Sequence, residues 1–122
     1  MAGTFLPFTA CSGPDPSLQL RLSVPAMMAT LSDSTTIMAL GNAYMEQVPE
    51  ENSPGTLIDR LMMNSDGTSI PETSDSLVLQ EKMQQKVRAD FENGATLVIQ
   101  GWVLSQTEAR QCALYSLTQS NN

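Results

Sequence analysis

The stretch Ala95–Leu117, ATLVIQGWVLSQTEARQCALYSL, decides the fold. Its first part is apolar and rich in β-branched residues, and the lone Trp102 lies near its middle. Ser105-Gln106-Thr107-Glu108 then has the spacing of a capping box. In that motif a hydroxyl accepts from the amide three residues on, and the carboxylate reaches back to the amide of the capping residue. The pattern predicts a strand over Thr96 to Val103, with Leu97, Ile99 and Val103 on one face and Val98, Gln100 and Trp102 on the other. It predicts a helix after Ser105 that runs to about Leu117 and buries Ala109, Cys112, Ala113 and a neighbour such as Leu114 or Tyr115. Thr118 to Asn122 reads as a polar, frayed tail.

Helical signals dominate upstream. Ser74 or Asp75 can cap a long helix reaching Glu92, on which Leu79, Met83, Val87 and Phe91 form one apolar stripe and Asn93-Gly94 supplies the stop. Ser53-Pro54 opens a helix to Met63 that buries Leu57, Ile58 and Leu61, with Met62 as a further candidate. Asp33 caps a helix over Ser34 to Gln47 with Ile37, Leu40, Tyr44 and Val48 facing the core, and Pro49 ends it. Gly41 on that helix allows another helix to approach closely. Pro25 suits the first turn of a short helix over Ala26 to Leu31. Leu18, Leu20 and Leu22 fit a strand or an amphipathic turn equally well. The fold class is therefore mainly α, a compact bundle of four or five helices with one or two short strands. At 122 residues the chain is long enough for one domain.

The reactive side chains are few. There is no histidine, so the commonest general base and metal ligand is missing and no Ser-His-Asp or Cys-His arrangement can be built from this chain. The two cysteines, Cys11 and Cys112, do not suffice for a cysteine-based zinc site. Cys112, among Ala109, Ala113 and Leu114, reads as a buried thiol, with a Cys11–Cys112 disulfide as the competing reading. Glu50-Glu51 after Pro49 reads as an exposed acidic turn whose carboxylates point apart into solvent. Asn64 to Thr68 is oxygen-rich but lacks the later ligands of a calcium loop, and reads as a turn about Asp66-Gly67. Ser105 and Glu108 are structural caps. No catalytic, metal or cofactor site is expected.

Net charge is −7, from 13 acidic and 6 basic residues. Of the cations only Lys82, Lys86 and Arg88 are close in sequence, with Glu81, Asp90 and Glu92 around them, so nucleic-acid binding is not expected. Eight methionines suit a helical core or a partner-facing surface. Trp102 fits core or interface equally well; with Arg110 it is the candidate partner contact, since both residue types are enriched in interfaces.

Residues 1–10 carry no charged side chain, and Phe8-Thr9-Ala10-Cys11 resembles a bacterial lipobox. Residues 1–17 are read as a truncated export segment and tether with Cys11 as the lipid-bearing residue, and residues 18–122 as a single helical domain. The chain is expected to be exported and periplasmic, attached to a membrane through Cys11.

Asp90-Phe91, Gly94, Gly101-Trp102-Val103-Leu104-Ser105, Thr107-Glu108-Ala109-Arg110 and Cys112-Ala113-Leu114 together form a pattern that resembles small exported bacterial proteins of uncharacterised role. Gly41, Tyr44 and Pro49-Glu50 resemble their earlier segment. With its export-like amino terminus, the chain is similar to the small twin-arginine-exported accessory subunits of flavin-dependent sugar and alcohol dehydrogenases. The resemblance implies a non-catalytic chain beside a large catalytic subunit. The expected function is thus an accessory or structural subunit of a larger bacterial membrane-associated complex, redox complexes included. The rival readings are a free-standing periplasmic domain with an apolar small ligand between Met-rich helices, and an enzyme with two acidic groups converging in a cleft.

Overall fold

The computed structural model describes residues 16–23, 33–64, 66–72 and 74–120. The expectations for Cys11, for the export segment up to residue 15 and for a helix over Ala26 to Leu31 lie outside these residues. The described part is mainly helical: α1 (Pro16–Leu22), α2 (Ser34–Gln47), α3 (Pro54–Leu61), α4 (Ser76–Glu92), a hairpin of β1 (Thr96–Ile99) and β2 (Trp102–Ser105), and α5 (Gln106–Ser120), with a single 3-10 turn at Pro49–Glu51.

Helix α5 is the centre of the packing, touched by α1, α2, α3, α4 and β2. A helix covered on several sides needs small or apolar residues around most of its circumference, and α5 buries Ala109, Cys112, Ala113 and Leu114 together with Thr107, Gln111, Ser116 and Thr118. Its closest neighbour is α2. A Cβ at Gly41 would lie 2.5 Å from the Cys112 carbonyl carbon and 2.8 Å from the Ala113 nitrogen, so glycine lets the two backbones meet. Ile37, Leu40 and Tyr44 of α2 and Leu57 and Leu61 of α3 complete this core.

The helix starts follow the sequence. Asp33 accepts from the Thr35 amide at 3.1 Å, Ser53 from Thr56 at 3.2 Å and Asp75 from Val78 at 2.9 Å. At α5 the capping box forms in both directions: the Glu108 amide donates to Ser105 Oγ and the Ser105 amide to Glu108 Oε1, each at 3.0 Å. Gly94, at φ +73°, closes α4.

Three expectations change. The single strand Thr96 to Val103 is an antiparallel hairpin with Ile99 opposite Trp102 and Val98 opposite Val103. Gln100 (φ 51°) and Gly101 (φ 85°) form the two-residue, left-handed turn that matches strand twist. Directly opposed residues share a face, so the turn exchanges the two sides. Trp102 joins Leu97, Ile99 and Leu104 on the inner face, while Val103 moves to the outer face with Val98. The apolar stripe of α4 is shorter than its spacing implies. Leu79 and Met83 are buried, Val87 is half-buried and Phe91 is exposed. Steps of four residues advance about 40° past a full turn, so Phe91 has drifted about 120° from Leu79.

The tail after Leu117 is also not frayed up to Ser120. Thr118 is buried, donates to the Leu114 carbonyl at 2.8 Å and accepts from Gln19 Nε2 at 2.8 Å. Helix α1 covers this end. It buries Leu18 and Leu22 and exposes Leu20, which is helical rather than alternating spacing. Gln111 donates to the Leu22 carbonyl at 3.2 Å and Arg21 to the Ser74 carbonyl at 2.6 Å, tying α1 down at its other end. The helix begins at Pro16, inside the stretch read as tether.

Candidate functional site

Pro49 stops α2 and turns the chain through one 3-10 turn, which places Glu51 under Tyr44 and against α5. Glu51 is 4% exposed. Its Oε1 accepts from Arg110 Nε at 2.9 Å and from the Tyr44 hydroxyl at 2.9 Å, and its Oε2 accepts from Arg110 at 3.0 Å. The exposed acidic turn expected at Glu50-Glu51 is therefore half right. Glu50 is exposed, but Glu51 is the buried anchor of a two-pronged ion pair. Burial by itself would raise the Glu51 carboxyl. The hydrogen bonds from Arg110 and Tyr44 and the charges of Arg110 and Arg60 outweigh it, and the net direction is down. A carboxylate held ionised in this way is a structural group rather than a proton donor.

Arg110 also forms one wall of an open groove of about 520 Å³ between the end of α3, one face of α4 and α5. Arg60 contributes from α3, Lys82, Lys86 and Asp90 from α4. Lys82 and Lys86 are one helical turn apart and so project from the same side of α4. Lys86 Nζ donates to the carbonyl of Met63 and lies 3.5 Å from that of Arg60, covering the carbonyl-rich end of α3. Burial lowers the pKa of Lys86, with Arg110 pushing the same way and Asp90 opposing. Asp90 accepts from the Thr107 amide at 2.8 Å, so its carboxylate serves the start of α5.

The cations that the sequence separated are thus gathered by the fold: four of the six line one groove, and Arg88, close to Lys82 and Lys86 in sequence, is not among them. Neither Arg60 nor Arg110 carries a local signal for this. Glu51 and Arg110 are 59 positions apart, and their pairing depends on how α2, the 3-10 turn and α5 pack.

Of the two candidate partner-contact residues, Arg110 is engaged with Glu51, while Trp102 is 40% exposed on the hairpin. Beside it the outer pair Val98 and Val103 is 63% and 60% exposed. Apart from the Gln106–Ala95 bond at their base, the strands make no backbone hydrogen bond outside their own ladder among the described residues. Near the turn, the outward-facing backbone groups of Val98 and Val103 therefore stay outside the ladder, while at the base of β2 the Ser105 amide is taken by Glu108.

The remaining polar motifs are local. Asp66 accepts from the amide and hydroxyl of Thr68 at 3.0 and 2.6 Å, which closes the Asn64–Thr68 turn on itself and lowers the Asp66 carboxyl. Cys112 is fully buried, and burial pushes its thiol up to about 12, which keeps it protonated and unreactive. Among the described residues no group of three acidic, cysteine or histidine side chains gathers as a metal site, and no helix is long and apolar enough to cross a membrane. Comparison with protein-family models, with curated proteins and with solved structures gave no match.

Proposed function

We propose that the chain is a non-catalytic accessory subunit that binds a larger protein through the outer face and edges of the β1–β2 hairpin. The observation that carries this reading is the solvent-facing Val98–Val103 pair beside Trp102, on a two-stranded sheet whose edges bear no further backbone pairing among the described residues at those two valines. Two strands alone are barely stable in water. Addition of an extended apolar segment from the partner would pair an open edge and cover both valines. The resemblance to exported accessory chains supports the same role. On this reading Cys11 bears the lipid, the chain is periplasmic, and residues 12–15 link the anchor to α1.

The rival reading, an apolar ligand among Met-rich helices, gains nothing from the groove, whose walls carry four cations.

The test is recovery of the tagged full-length chain from its native membranes, as wild type and as the double variant Val98→Lys/Val103→Glu, whose opposite charges face each other across the ladder. The wild type should bring down one larger subunit in fixed stoichiometry, and the variant should lose it while keeping the wild-type melting temperature. A wild type recovered as a lone monomer overturns the proposal, as does a variant that retains the partner. The mass of the Cys11 peptide from the same preparation tests the anchor separately.

A further inference from the structure

We infer that the groove between α3, α4 and α5 is a binding site for a small oxyanion, a ligand carrying two or more phosphoryl or carboxyl oxygens' worth of negative charge. The inference is independent of the hairpin.

Charge distribution is the first support. A chain of net charge −7 places four of its six cations around one concavity and only one of its 13 acids there. Division of labour among those cations is the second. Lys86 is fixed by the carbonyls of Met63 and Arg60, and Arg110 is fixed by Glu51. These two hold positive charge in place without reaching outward. Arg60 and Lys82 make no ion pair and donate no side-chain hydrogen bond among the described residues, and both open onto the groove. A guanidinium there offers paired donors matched to phosphate or carboxylate, and the ammonium adds a second charge from the α4 side.

The nearby acids offset only part of this charge: Glu51 balances Arg110, which leaves Arg60, Lys82 and Lys86 against Asp90 alone in the lining. Asp90 accepts from the Thr107 amide, and Glu51 is bound by Arg110 and Tyr44. The groove thus keeps a positive field within an acidic surface. That contrast also limits the ligand. A long polyanion such as nucleic acid would lie across the acidic surroundings, where like charges repel over a screening length of about 8–10 Å. A volume of about 520 Å³ matches a single small molecule.

The experiment is calorimetric titration of the full chain at low ionic strength with pyrophosphate and, separately, with citrate. The same titrations are run on Arg60→Gln, Lys82→Gln and Arg88→Gln. Saturable one-site binding by the wild type is expected, weakened about tenfold or more in each of the first two variants, since each loses a charged donor. Arg88→Gln should bind as the wild type does. Tighter pyrophosphate binding makes the ligand a phosphate ester, and tighter citrate binding makes it a polycarboxylate. The inference is overturned if neither probe binds saturably. It is equally overturned if the groove variants keep wild-type affinity, or if Arg88→Gln weakens binding as much as they do.

Discussion

Helix α5 and the hairpin before it are consecutive in sequence and opposite in character. Helix α5 is packed on several sides and buries eight side chains, polar ones included. The hairpin contributes Ile99 and Leu104 to the core and leaves Val98, Trp102 and Val103 exposed. Joining them is Ser105, the last residue of β2 and the cap of α5. The contrast separates residues that hold the fold from residues available for binding, and it can be broken or sharpened by substitution.

The largest effect is expected at Glu51. Glu51→Ala leaves the Arg110 guanidinium without its carboxylate beside the core, and removal of one partner of a buried pair costs about 3–5 kcal/mol. Denaturant unfolding of the variant measures this. The pair also fixes an acid limb. The folded carboxyl lies below its ordinary 4.5, so the unfolded chain takes up a proton first as pH falls. The stabilisation is complete above 4.5 and drains away as pH drops through the lower folded value. Glu51→Gln should flatten stability across that window, and an unchanged acid limb would assign it to another carboxylate.

Gly41→Ala comes next. The added methyl meets backbone of α5 rather than a side chain that can turn away. The helices must separate, at a cost of about 1–3 kcal/mol. A neutral result in thermal unfolding would show that α2 can slide on α5. Ser105→Ala removes one half of the capping box, with an expected loss of about 1 kcal/mol.

How much of this was legible depended on the range of the cause. Helix starts at Asp33, Ser53 and Ser105 are decided within four residues and are visible in the sequence, and at the fourth the structure chooses Asp75 over Ser74. The close approach at Gly41 was readable because a glycine in a helix interior needs a packing reason. The hairpin was not readable, because Gln100-Gly101 lacks the Asn-Gly or Asp-Gly pair that usually announces such a turn. Without the turn, alternation assigned Trp102 and Val103 to the wrong faces. The groove and the Glu51–Arg110 pair were beyond reach for a different reason. Their members come from separate helices, and nothing near Arg60 or Arg110 states which surfaces will meet. Thr118 looked like tail only because its cover, α1, comes from the other end of the chain.

The smallest effect falls on the turn itself and tests whether the hairpin is energetically separate from α5. Gln100 occupies a left-handed conformation that costs an L-residue with a long side chain, and asparagine enters it more readily. Gln100→Asn should therefore stabilise by a few tenths of a kcal/mol. The change should be local, since Gln100 and Gly101 are both exposed at the tip of the hairpin. Amide exchange distinguishes the outcomes. If the hairpin opens as its own unit, exchange at Leu97, Ile99 and Leu104, whose amides lie in the ladder, slows while that of the α5 interior around Cys112 and Ala113 stays at the global rate. If both regions slow together, Ser105 couples them so tightly that hairpin and helix unfold as one. A partner docking on the hairpin would then be felt throughout the core.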